Sequence, residues 1–128
     1  MTEAETRITL PWPDKALSPN GRPGHWAVKA RAVKKARSMA TSATWAARGT
    51  SVKPGWPSAH LAWVLHPKTA NTPDADNAQA ALKNFQDGIA DALGIDDSLF
   101  TCTYALGAPV KGGAVHVVLS PDYRDVAA

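Results

Sequence analysis

The chain has 128 residues, 45% of them hydrophobic, a single cysteine and a formal net charge of +3. That length suits one domain that buries a core without covalent staples, and the lone Cys102 excludes an intrachain disulfide, so a reducing compartment is expected. No apolar run approaches the ~20 residues of a membrane span, and the start Met1-Thr2-Glu3-Ala4-Glu5 is acidic where a secretory leader would be basic, so the expectation is a cytoplasmic protein without a membrane partner.

Arg7-Ile8-Thr9-Leu10 alternates and is stopped by Pro11-Trp12-Pro13, which predicts a short first strand near a sheet edge. Two Pro and two Gly between Ser18 and Gly24 make a loop. From His25 to about Arg48 there is neither Gly nor Pro, and Trp26, Ala30, Val33, Ala36, Ala40, Ala43 and Ala47 recur at helical spacing as one apolar stripe. Arg31, Lys34 and Lys35 fall opposite the stripe, Lys29 and Arg37 nearer to it, and Gly49 ends the helix.

After a second loop, His60 to His66 sets Leu61, Trp63 and Leu65 against Ala62 and Val64, a strand apolar on both sides and therefore central. A loop from Pro67 to Pro73 leads to a second helix, Asp76 to Leu93, with Leu82, Phe85, Ile89 and Leu93 as its buried stripe and Gly94 closing it. Phe100, Cys102, Tyr104 and Leu106 alternate with smaller residues as a third strand. Lys111-Gly112-Gly113 turns into a fourth carrying Val115, Val117 and Leu119, and a polar tail runs from Pro121. The order β-α-β-α-β-β predicts a single α/β domain of the α+β kind over 1–128: one four-stranded mixed sheet with two helices and polar tails.

Charge is segregated along this order. Lys15 to Pro73 holds ten basic residues and no acidic one, whereas Asp74 to Asp97 holds six Asp against Lys83 alone. A basic half beside an acidic segment suits a protein that attracts a polyanion to a cation-mediated carboxylate site; chance segregation in an ordinary domain is the competing reading.

Asp74 and Asp76 lie where a loop becomes a helix, and at a turn both can converge on one hard cation, with Asp97 returning as a further ligand. The same residues also read structurally: Asp76 with Gln79 as a capping box, Asp74 after Pro73 as a turn residue, Asp96-Asp97-Ser98 as a solvated turn. Asp76, Lys83 and Asp87 fall within roughly 20° of one another on the helix. Lys83 is therefore either an i,i+4 partner of Asp87 or, beside a metal on Asp76, a stabiliser of charge developing on a phosphate. His25, His60, His66 and His116 show no metal spacing; Cys102, Trp45 and Trp63 read as core, while Trp26 in its basic setting suits either the stripe or stacking on a base.

Taken in order, Ile8-Thr9-Leu10-Pro11-Trp12-Pro13, Ser18-Pro19-Asn20, Asp74-Ala75-Asp76-Asn77, Lys83 with Asp87-Gly88-Ile89, Asp96-Asp97-Ser98 and Lys111-Gly112-Gly113 resemble the RusA family of Holliday junction resolvases, from about Ile8 to Leu119. The resemblance implies a homodimeric crossover-junction endodeoxyribonuclease that needs Mg²⁺, with Mn²⁺ as a substitute, and makes paired nicks in four-way DNA. It implies a phage or prophage protein acting in the bacterial cytoplasm in DNA recombination and repair. By the same resemblance Asp74, Asp76 and Asp97 are metal ligands and catalytic with Lys83. Asn20, Arg22, Lys29, Arg31, Lys34, Lys35 and Lys111 then form the DNA-binding surface. The sequence departs from the family at Ala75, where leucine is frequent, and at Ala80, where a lysine stands one turn after the second aspartate. Spacings of four and seven both return to one helix face, which is why Lys83 takes that role. A junction-binding module that does not cut, its acids serving as caps, and an RNA-binding domain are the alternatives.

Overall fold

The structure is a computed structural model that describes residues 5–14, 17, 26–70 and 72–122, with side chains in the last stretch from 78 onward. Strands β1 (Thr6–Pro11), β2 (Ala59–His66), β3 (Phe100–Leu106) and β4 (Ala114–Pro121) alternate with helices α1 (Trp26–Arg48) and α2 (Thr72–Leu93), and a 3₁₀ turn covers Asp97–Leu99. The expected element order and mixed sheet are both present.

The strands lie in the order β1-β4-β2-β3. β4 runs antiparallel to both β1 and β2, while β2 and β3, joined through α2, are parallel. β1 is an edge and β2 is internal, as their sequences suggest. Parallel pairing of β2 with β3 requires a long crossover, and α2 supplies it.

Alternation decides which sheet face is buried. Ile8, Leu10, Leu61, Trp63, Leu65, Val115, Val117 and Leu119 point to the helices and join Ala36, Ala40, Leu82, Phe85, Ile89 and Leu93 in one core. Each large member of that set is worth on the order of 1.5–3 kcal/mol relative to exposure. The opposite face carries Arg7, Thr9, His60, His66 and His116, and no described helix covers it. There the ring of His116 stands edge-on to His66, with centroids 5.0 Å apart, and its Nδ1 lies 3.0 Å from the Thr9 hydroxyl.

Four expectations need correction. α2 begins at Thr72, not Asp76, so the backbone of Asp74 and Asp76 is helical and not part of a turn ahead of the helix; their side chains lie outside the described residues. The buried line of α1 is Ala36, Ala40 and Thr44, flanked by Val33 and Ala43, while Ala30 and Ala47 are exposed. Trp26 is 78% exposed and Trp45 40%; Trp45 lies about 100° round the helix from the fully buried Thr44, off the buried line. Trp63 alone of those three sits in the core. β4 extends through Pro121, where a polar tail was expected to begin.

Both helices end as glycine allows. Gly49 and Gly94 have φ of +76° and +69°, and the amides that follow them, Thr50 and Ile95, close back on Trp45 O and Ala90 O at 3.2 and 3.3 Å. The two helices cross most closely at Gly88, where an added methyl would collide with the Arg37 carbonyl and the Ala40 side chain. Across that crossing the Thr41 hydroxyl lies 2.8 Å from Gly88 O, and Arg37 donates to Asp91 twice, Nε at 2.6 Å and Nη2 at 2.9 Å.

Candidate functional site

The stretch after α2 folds back on it. Gly94 reverses the chain, Ile95 plugs into the core, and the 3₁₀ turn then presents Asp97 to the middle of α2. There the Lys83 ammonium donates to Asp97 Oδ2 at 2.7 Å and to Asp87 Oδ1 at 3.2 Å. The i,i+4 pair read from the sequence is therefore real, and it is the weaker half of a three-member cluster.

Asp96 and Asp97 separate cleanly. Asp96 accepts the Ser98 hydroxyl at 2.7 Å and its carbonyl receives the Leu99 amide, which makes it the residue that shapes the turn. Asp97 alone of the two reaches α2.

The electrostatics follow from this contact. Hydrogen bonds donated to Asp97 and then Asp87 hold the Lys83 ammonium above the usual lysine range, and the hydrogen bond received from Lys83 holds the Asp97 carboxyl below the usual carboxylate range. Lys83 thus stays charged throughout the neutral range. It is therefore a positive charge held in place by two carboxylates.

Two open clefts meet at this ion pair. One, of ≈ 490 Å³, is lined by Gln79, Ala80, Lys83, Gln86 and Tyr104. The other, of ≈ 350 Å³, runs past Arg37, Lys53, Asp87, Asp91, Asp96 and Asp97. Ala80 and Lys83, one helical turn apart, line the same cleft.

In the first cleft Gln86 donates to Cys102 Sγ at 3.2 Å and to the Tyr104 oxygen at 3.3 Å. Burial, and then the neighbouring Cys102, push the Tyr104 phenol above its usual value, so it remains a neutral donor.

Sequence reasoning missed Gln79, Gln86, Tyr104, Arg37 and Lys53. Gln79 stands three residues after Asp76 and Gln86 three after Lys83, a spacing that carried a legible helical signal. Tyr104 and Lys53 come from β3 and a loop, and only the fold brings them near. Of the basic residues, Lys29, Arg31, Lys34 and Lys35 are exposed along α1, and Lys111 is exposed in the β3–β4 turn. Asn20 and Arg22 lie outside the described residues, as do the side chains of Asp74 and Asp76. Asp97 returns to α2 at Lys83, two turns beyond Asp76.

Among the described residues no three His, Cys, Asp or Glu side chains converge as a metal cluster. Within the same residues no helix is long and apolar enough to cross a membrane.

No protein-family model matches the chain. Over 98 residues, 73% of its length, the chain is 45% identical to an uncharacterized protein of Xylella fastidiosa, and the match covers 61% of that relative. The chain therefore spans less than two thirds of the relative's length, and the similarity brings no activity with it.

Proposed function

We propose that the protein is a RusA-type Holliday junction resolvase, a structure-selective DNA endonuclease that uses Mg²⁺ to nick four-way junctions in pairs as a homodimer. One observation carries the reading: Lys83 and Asp97, both assigned catalytic roles by the ordered resemblance, are 14 positions apart in sequence yet form a 2.7 Å ion pair. Nothing in the helical periodicity of α2 requires a turn beyond its end to come back to that lysine.

The proposed ligand set, Asp74, Asp76 and Asp97, is all carboxylate, which is the donor chemistry that Mg²⁺ takes, and Mn²⁺ accepts the same atoms. Asp97 is the member whose side chain is described, and its second oxygen is not the one held by Lys83. Bound there, the metal would polarise the scissile phosphate and lower the pKa of an attacking water.

The chain's own residues do the rest. Lys83 offers a permanent positive charge to the phosphate as negative charge builds on it. Asp87 holds the lysine from its other side, limiting how far it swings. Lys29, Arg31, Lys34 and Lys35 on α1, with Lys111, provide phosphate contacts that position the arms without reading bases. The same assignment makes this a phage or prophage protein of the host cytoplasm.

The test is a labelled four-way junction incubated with protein and Mg²⁺ beside a linear duplex of the same sequence. Paired nicks in the junction only, lost in Asp76→Asn, are expected. Undiminished nicking by Asp76→Asn would overturn the metal assignment, and Mg²⁺-independent binding with no product under any divalent metal would favour a non-cutting junction-binding module.

A further inference from the structure

The sheet has two edges, and they differ. β1 carries the charge of Arg7 and ends at Pro11, both of which discourage another strand from pairing there. β3 has neither: Phe100-Thr101-Cys102-Thr103-Tyr104-Ala105-Leu106 contains no charged residue and no proline, and β2 is its only strand neighbour among the described residues. Its helix-side residues also outrun the helix layer. Tyr104 is 41% exposed and Leu106 58%, with Leu99 and Val110 exposed at either end. A seven-residue edge that no second described strand pairs, flanked by exposed apolar side chains, has the form that accepts another strand.

We propose that the occupant is β3 of a second copy, antiparallel, joining two four-stranded sheets into one continuous sheet. A strand paired with itself about a twofold axis is automatically complementary, and this one carries no charge to oppose its own image. Centring the axis on Thr103 pairs the whole strand, setting Phe100 opposite the partner's Leu106 and Cys102 opposite the partner's Tyr104. The axis is then normal to the sheet, so both helix layers lie on one side of it. Tyr104 belongs both to this edge and to the cleft of Lys83, which brings the two clefts to either side of the seam. The junction reading requires a dimer but does not say where it forms. Only the placement of the two clefts for paired cutting rests on that reading; the joining surface does not.

The experiment is done on the full chain without DNA or Mg²⁺, so its failure is separate from any failure of nuclease activity. Sedimentation equilibrium should give twice the 13.5 kDa chain mass. Leu106→Lys, which sets a charge on each side of the seam at an exposed position, should raise the dimer dissociation constant by at least about tenfold, while Leu106→Met leaves it unchanged. Circular dichroism confirms that both variants fold. Because Cys102 is the sole thiol, Tyr104→Cys should give a dimer crosslinked through position 102 of one copy and 104 of the other on mild oxidation, and adding Cys102→Ser should abolish it. A monomeric wild type, a dimer indifferent to Leu106→Lys, or a dimeric Tyr104→Cys that does not crosslink would each overturn the proposal.

Discussion

Lys83 in the middle of α2 donates to Asp97 in the turn beyond its end at 2.7 Å, and the position one helical turn before Lys83, Ala80, lines the same cleft. On the proposed nuclease reading, what matters is the positive charge in that cleft and not the helix position that delivers it. Lys83→Ala should lower junction nicking by a factor on the order of 10²–10³, the scale for removing one preorganised electrostatic contact. Ala80→Lys placed in that background should recover at least about tenfold of the loss. A purely structural lysine would give no recovery, since Ala80 is three residues away from the position that ties Asp87 to Asp97. Quantifying single-turnover nicking in the three proteins decides it.

The neighbouring aspartates should behave differently. Asp97→Asn removes the carboxylate that faces Lys83 and should abolish nicking, whereas Asp96→Asn keeps an acceptor for the Ser98 hydroxyl and should retain most of it. The same pair carries a stability signature. The depressed Asp97 carboxyl contributes above the ordinary carboxylate value and loses its contribution as pH falls through the lowered one; the raised Lys83 contributes below the ordinary lysine value and loses it as pH rises through the raised one. The urea midpoint of wild type minus that of Asp97→Asn should therefore be flat from about pH 5 to pH 10 and shrink below about pH 4.

At the helix crossing, Gly88→Ala should destabilise the fold by about 1–3 kcal/mol, because the new methyl meets main chain at Arg37, which cannot rotate away. Thermal or denaturant unfolding measures it. Arg37→Met at the same crossing should cost clearly less, since both members of the Arg37–Asp91 pair are about half exposed and water screens them.

On α1, Lys34→Ala and Lys35→Ala should each weaken junction binding by a similar factor whatever the arm sequence, and each should reduce the slope of log affinity against log salt by about 1. Fluorescence anisotropy across a salt series reads both effects. Arg37→Ala serves as the contrast. Its guanidinium is engaged by Asp91 and should contribute little to the slope.

How far the sequence could be read follows from which forces were local. The α2 stripe of Leu82, Phe85, Ile89 and Leu93 was legible because one periodicity decides one buried face, and all four are in the core. The alternation of β2 gave its internal place for the same reason. Trp26 and Trp45 do not join the core because hydrophobicity marks which residues gain from burial, while the narrow line of Ala36, Ala40 and Thr44 that α1 turns to the core decides which ones obtain it. The start of α2 was misplaced because Pro73 is equally at home in a loop and in a first helical turn. In the candidate site, Lys83 and Asp87 were visible as helix neighbours, but the arrival of Asp97, Tyr104 and Lys53 depends on the turn after Gly94 and on strand order, which no local pattern encodes.

The strand order has a consequence for how the molecule is made. β1 finds its only described strand partner in β4, with Thr6 opposite Leu119, so the earliest described strand is held by the latest. On the ribosome, α1, β2 and α2 emerge before that ladder exists, and Ile8 and Leu10 must wait with their apolar side unprotected. Such late, long-range closure slows folding relative to a sheet built from neighbouring hairpins. A nascent chain stalled before Ala114 should expose β1 to proteases and chaperones, and release of β4 should end that exposure in a single cooperative step.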